Sequence, residues 1–314
     1  MKNSSFVSSN KFQHIILLVQ LATISVFLGR AWQHIIWDAP FRTLLWDENW
    51  MNSILPWFSN ISYDDFITSS EIDESIQNII KANGWFYILC ALLTIFIKKI
   101  PRLLTYILWL GAASLVILAF LYCKEKFFQW GQFWEYSLQF GSPIFLFYLW
   151  KGQKITDQLI FSMKIAIAIT FISHGLYAIN YYPRPGHFTE MVMTILGVKE
   201  STAIHFLNFA GILDFVMAIG IFINGKIRKW MLMYAIFWGL ATTSARIIGH
   251  FYFDMMEDTL MMWVHEAIYR MPHFLIPMGV YYFYWIKDKK QNKEKEKEQE
   301  QEQEQEQEQE QEQT

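Results

Sequence analysis

The chain's candidates for chemistry are polar residues set into otherwise apolar stretches: Arg30, His34, Asp38, Glu135, His174, His205, Asp214, Arg246, His250, Glu266, Arg270 and His273. Arg30, His34 and Asp38 recur at four-residue spacing, which places them on one helical face. Arg246, His250 and Asp254 repeat the same Arg-x3-His-x3-Asp spacing. Glu135 precedes Gln139 by one turn, and Glu266, Arg270 and His273 lie within eight residues. An ionisable group at the centre of a bilayer costs about 2.5–3.5 kcal/mol on insertion scales, so such groups default to functional readings. Acid, base and imidazole at one level suit an anionic or carbonyl-bearing head group, or a proton relay. The alternative reading is structural: Arg30, Asp38, Arg246 and Asp254 can pair with one another or reach the interface as helix-packing glue.

Helices long enough to cross a bilayer must position these groups. A crossing needs about 20 mostly apolar residues. Eight stretches qualify, at about 12–36, 79–97, 103–122, 131–150, 160–181, 204–223, 230–250 and 262–286. Basic residues fall in alternate connections: Lys98, Lys99 and Arg102; Lys151 and Lys154; Lys226, Arg228 and Lys229; Lys287, Lys289 and Lys290. The other connections hold Asp47, Glu48, Asp64, Asp65, Glu71, Asp73 and Glu74, and later Asp254, Glu257 and Asp258. Basic residues stay on the cytoplasmic side, which predicts a plasma (inner) membrane protein with both termini cytoplasmic. No small-residue cleavage site follows the first stretch, so it is read as a crossing rather than a signal peptide. On this topology the candidate residues gather in the outer half, as one polar cavity open outward.

Composition agrees once the chain is divided. Of 314 residues, 53% are hydrophobic and 18% aromatic. Residues 287–314 carry 6 Lys against 11 acidic residues and no hydrophobic residue, whereas residues 1–286 carry 20 basic and 18 acidic residues. A charge-poor, aromatic-rich body belongs to a membrane protein, and its near-neutral balance gives no nucleic-acid footprint. The Glu-Gln tail sets like charges at i and i+4 and has nothing to bury, so it is read as a disordered cytoplasmic tail. The outer connection 40–78 is too long to be a plain link; Phe41–Trp46 and Ile54–Phe58 read as short pieces at the interface, where Trp is favoured.

The eight stretches fall into two sets of four, residues 1–150 and 151–286. Each set has a proline-bearing outer segment after its first crossing (Asp38-Ala39-Pro40; Tyr182-Pro183-Arg184-Pro185). Each also has a glutamate near the start of its fourth (Trp134-Glu135-Tyr136; His265-Glu266-Ala267). The fold class predicted is therefore all-α: a polytopic bundle of about eight transmembrane helices in two four-helix repeats, related by an axis near the membrane normal. No Walker A, dinucleotide-loop, HExxH or GxSxG pattern is present. Met255, Met256, Met261 and Met262 near His250 and His265 suit Cu(I) in principle, but lipid-facing or packing methionine is the preferred reading in a chain that holds 14 of them. No metal site is assigned.

The segments Leu28-Gly29-Arg30-Ala31-Trp32-Gln33-His34, Ser173-His174-Gly175, Gly211-Ile212-Leu213-Asp214 and Pro272-His273-Phe274-Leu275-Ile276-Pro277 resemble the DoxX/DoxD-like membrane superfamily. That group includes the HTTM-type four-helix units of carboxylase-like proteins. The resemblance covers roughly residues 12–286 as two units. It implies a membrane subunit tied to quinone-linked sulfur oxidoreduction or redox homeostasis, and it carries over no catalytic residue. The chain departs from the group by its doubling and from the carboxylase-like proteins by lacking a large lumenal domain. The expectation is an outward-facing pocket for a small amphipathic ligand, a quinone or a lipid head group, in a redox accessory subunit with a membrane redox partner. A proton-coupled transporter using Asp214, Glu266 and His273, and a non-catalytic structural protein, are the alternatives.

Overall fold

The computed structural model describes residues 9–152 and 155–312. All regular structure among them is helical. In chain order the helices are α1 (Ser9–Ile36), α2 (Arg42–Leu45), α3 (Glu48–Ile54), α4 (Tyr63–Thr68), α5 (Ser70–Ile95), α6 (Ile107–Glu125) and α7 (Trp130–Glu135). They continue as α8 (Ser137–Gly152), α9 (Asp157–Ala178), α10 (Gly186–Leu196), α11 (Glu200–Gly220), α12 (Lys226–Ile248), α13 (Met256–Arg270) and α14 (Pro272–Glu312). Six are long and apolar enough to cross a bilayer: α1 from Gln13, α5, the stretch Arg102–Glu125 that ends in α6, α9, α11 and α12. Such a set is compatible with an integral membrane protein. Their outward faces carry apolar stripes: Phe209, Ile212, Val216 and Ile219 on α11, and Trp230, Met233, Phe237 and Leu240 on α12 are all exposed. Lipid tails are as apolar as these side chains, so nothing drives them inward.

The fourth and eighth expected stretches are not single helices. Each is interrupted, at Tyr136 between α7 and α8 and at Met271 between α13 and α14. Proline explains one break directly. Pro272 has no amide hydrogen and begins α14 at the first position, where a donor is not needed, while Met271 closes α13 with a tightened bond to Ile268 O. At Tyr136 the main-chain oxygen takes bonds from both Gln139 and Phe140, starting a new helix. Pro143 and Pro277 lie inside α8 and α14.

Two other elements differ from expectation. Helix α5 begins at Ser70, nine residues early, because the Ser69 hydroxyl accepts from the Ile72 amide and Glu71 and Asp73 occupy the first turn. The tail continues as helix to Glu312, where the like-charge pattern predicts no structure. Gln, Glu and Lys are good helix formers, and Lys290 Nζ lies 3.3 Å from Glu294 Oε1 one turn on.

Packing pairs α1 with α5 and α9 with α11, α6 with α8 and α12 with α14. Helix α1 also meets α8, α13 and α14, while α9 meets α7, α8 and α14. The two closest pairs cross at glycines. A Cβ on Gly84 of α5 would meet Ile35, His34 and the Ala31 carbonyl; one on Gly211 of α11 would meet Ile179, Ala178 and the Gly175 carbonyl. Each α9 residue in the second group lies 144 positions beyond its α1 counterpart. Small residues at such points let backbones approach closely.

Candidate functional site

The crossing of α9 on α11 opens into a cavity of about 90 Å³, walled by α9, α10, α11, α12 and the α13–α14 break. That exceeds the ~10–15 Å³ needed to admit one water. On α11 its lining runs from Leu207 to Asp214, a depth of about 10 Å at 1.5 Å per residue. The walls are Phe171, Phe188, Leu207 and Trp238, and the polar groups are His174, Asp214, Arg246, Arg270 and His273. Three helices and a helix break thus bring together five residues separated by as many as 99 positions.

Its charges are matched in pairs. Arg270 Nη2 lies 3.2 Å from Glu135 Oε1, and Arg246 Nη1 lies 3.4 Å from Glu266 Oε2. The first pair joins the two sets of helices, because Glu135 ends α7 and Arg270 ends α13. His174 Nδ1 lies 3.8 Å from the same Glu135 oxygen. The His174 and His273 rings have centroids 5.3 Å apart, and His273 is only 3% exposed. Its Nδ1 is 2.8 Å from the Arg270 main-chain oxygen, while its Nε2 has no partner in the protein. At the inner end Asp214 accepts from Tyr234 OH at 2.9 Å.

Outside the crossings, α10 roofs this space through Phe188 and Met191. The His187 imidazole on α10 is pushed down to about 3 by burial, and further by Arg246 and Arg270 nearby; it is therefore neutral at physiological pH. Arg184 fastens the approach to α10, donating to the Ala178 carbonyl through Nε (2.9 Å) and Nη2 (2.6 Å) and to Asn208 Oδ1 at 2.5 Å.

Arg30 does not line this cavity, but it shares the Tyr269 ring with Arg270, whose guanidinium carbon lies 5.9 Å from the ring centroid. Fully buried, Arg30 donates from Nε and Nη2 to Gln139 Oε1 (3.0 and 2.7 Å) and from Nη1 to Gln33 Oε1 (2.7 Å). Its guanidinium carbon lies 3.8 Å from the Tyr269 ring centroid and 4.8 Å from that of Tyr136. Aromatic faces, rather than a carboxylate, neutralise it. His34 meets the rings of Phe41 and Tyr87 edge-on. Asp38 pairs with Arg42 at 3.0 Å on the outer surface, and His205 is exposed on α11. His250 stacks on Trp263, with centroids 3.7 Å apart and planes 9° apart. Thus Asp38 and His205 stand outside the polar interior, and the Arg-x3-His stripes serve as stacked, self-capped helix ends.

The same 144-residue correspondence sets the lining of this cavity against the α1–α5 crossing. Phe171, His174 and Ala178 of α9 correspond to Phe27, Arg30 and His34 of α1. The offset of 127 from Gly84 to Gly211 matches Ala210 and Asp214 with Asn83 and Tyr87. On the α1–α5 side Tyr87 stacks on Phe27, is met by His34, and bonds Ser114, which donates to Asn83. Large side chains fill that space. Ala178, Ala210 and Asp214 leave it open on the other side.

Sequence reasoning missed His187, Arg184, Tyr234 and Trp238. Arg184 had a visible signal in its two flanking prolines; aromatic residues such as Trp238 are too common in the body to stand out. Among the described residues no group of three or more His, Cys, Asp or Glu side chains is arranged to hold a metal ion.

A buried, charge-matched cavity between apolar helices defines the class: a multi-helix protein compatible with a bilayer, with an enclosed polar site. No protein-family model, curated protein sequence or solved structure matches this chain.

Proposed function

We propose that the protein is an eight-crossing membrane protein whose second four-helix unit binds the head group of a small amphipathic ligand, with a quinone-type ring as the leading class. The observation that carries this reading is the aromatic-walled cavity into which His273 presents an unpartnered buried nitrogen. A buried polar atom without a protein partner calls for an explanation, a bound water or ligand among them, and this one belongs to a residue that lines an aromatic-walled cavity. The broken pairs α7–α8 and α13–α14 complete the fourth and eighth crossings; interrupted helices are tolerated at membrane depth where protein encloses them. The matched glycine crossings support two repeated units, residues 1–150 and 151–286. The basic connections support cytoplasmic termini in the plasma membrane. A redox accessory role follows from the DoxX/DoxD-like resemblance.

Mild detergent purification followed by solvent extraction and mass spectrometry tests the reading. The wild-type chain is expected to retain a quinone in either oxidation state, and Ala178→Phe, which fills the cavity, to lose it. Extracts free of quinone and of any other stoichiometric small molecule would overturn it. A second reading, proton-coupled transport, is favoured by Asp214, a deeply buried carboxyl with Tyr234 as its hydrogen-bond donor. Uptake by proteoliposomes that ignores an imposed pH gradient would remove that reading.

A further inference from the structure

We infer that the cavity selects a hydroxyl-bearing ring, a phenol or hydroquinone, over a ring bearing only carbonyl or ether oxygens. The inference rests on the head-group reading above and on the tautomer of one residue. A carbonyl oxygen can only accept, so the contact from His273 Nδ1 to the Arg270 main-chain oxygen fixes the hydrogen on Nδ1. Glu135 and Glu266 are engaged by the site's two guanidiniums and Asp214 by the Tyr234 hydroxyl, so no carboxylate in the site is paired with this imidazole. His273 is therefore neutral, and its Nε2 presents a bare lone pair. That atom is buried and unpartnered, and the only group that satisfies it is a donor.

A second orphan complements the first. Arg270 Nε is buried with no partner, and a guanidinium nitrogen can only donate. Both residues line the cavity, three positions apart across the α13–α14 break. A hydroxyl has what each orphan lacks, a hydrogen for His273 Nε2 and a lone pair for Arg270 Nε. A carbonyl or an ether oxygen satisfies Arg270 and leaves His273 bare. Aromatic walls at Phe171, Phe188 and Trp238 suit a flat ring carrying that hydroxyl. A water molecule is the competitor, since it also donates and accepts; a ring hydroxyl supplies the same hydrogen and lone pair in its place.

The test uses the full-length protein in detergent and three probes sharing one decyl-substituted ring: the benzohydroquinone kept reduced under anaerobic conditions, the benzoquinone, and the bis-methyl ether. Affinities are read by calorimetry. The hydroquinone is expected to bind at least ~10-fold more tightly than either other probe, because a site built around a hydroxyl rejects analogues that leave its polar groups unpaired. His273→Leu is expected to lower hydroquinone affinity to that of the quinone, leaving quinone affinity little changed. Equal binding of all three probes, or tighter binding of the quinone, overturns the hydroxyl preference and leaves the head-group site standing. Absence of binding by all three overturns both. The wild-type comparison decides the matter even if the His273 variant does not fold.

Discussion

Replacing Glu135 by Gln perturbs the contact that ties the two sets of helices together. The side chain keeps its shape and loses its charge, leaving Arg270 buried beside a neutral amide. At 3.2 Å and an effective dielectric of about 20, the direct attraction is about 5 kcal/mol. Removing one partner of a buried pair costs about 3–5 kcal/mol, because the remaining charge has no compensation. Glu266 is engaged by Arg246 at 3.4 Å; it also acts on Arg270 at longer range, which softens the loss without replacing the contact. Unfolding in mixed dodecylmaltoside–SDS micelles, followed by far-ultraviolet circular dichroism, reads the loss. Glu135→Gln and Arg270→Met are each expected to cost about 3–5 kcal/mol, and the double variant less than their sum by about 2 kcal/mol, within the usual range for contacting residues. Asp38→Asn, at an exposed pair, serves as control and is expected to cost under about 1 kcal/mol. A loss below about 1 kcal/mol for Glu135→Gln, or strict additivity in the double variant, would refute the reasoning.

Two further outcomes follow from the geometry. Gly84→Ala and Gly211→Ala each force a methyl group to within 2.7 Å of an isoleucine carbon, so each is expected to destabilise by about 1–3 kcal/mol; a neutral Gly211→Ala in the same unfolding assay would show that the α9–α11 crossing is looser than described. Lys124 and then the Trp50 amide hold the Asp47 carboxyl below its ordinary value of 3.8, so the tie is at full strength above that value and is lost as pH falls through the lowered one. Protease resistance of the outer segment 40–69 is therefore expected to be flat from pH 8 to about 5 and to collapse only in stronger acid, and Lys124→Met to abolish that plateau.

The helices that the sequence announced best are those whose apolar runs stop at a polar cap or a basic connection: α1, α9, α11 and α12 end within a few residues of expectation. The breaks at Tyr136 and Met271 were harder to read. Pro143 and Pro277 lie six or seven residues further on, and a proline about two turns past the break does not say whether the helix bends or stops. Pro272 is the local signal for the second break; nothing comparable precedes Ser137. That many of the polar residues share one level was legible, because depth follows from counting along a helix. Which of them meet was not, since helix rotation decides that His174 faces His273 while His205 faces outward. The union of Glu135 with Arg270, 135 positions apart, is a tertiary fact. So is the aromatic enclosure of Arg30, which depends on Tyr269 of α13 and Tyr136 of the α7–α8 break.

Cutting a long helix in two also has an electrical consequence. Aligned peptide groups give each helix about half a positive charge at its start and half a negative charge at its end. Because α7 and α13 stop within the polar layer, two negative helix ends fall there, and the starts of α8 and α14 add two positive ones. Arg270 is the last residue of α13, a cation on a negative end. Glu135 ends α7 but stands one residue from the positive start of α8. His273, in the first turn of α14, lies in the field of that helix's positive end. Half-helix termini of this kind are aimed at ligands in other membrane sites, and here they come from the main chain. The field they make persists through any side-chain replacement that leaves the two breaks in place.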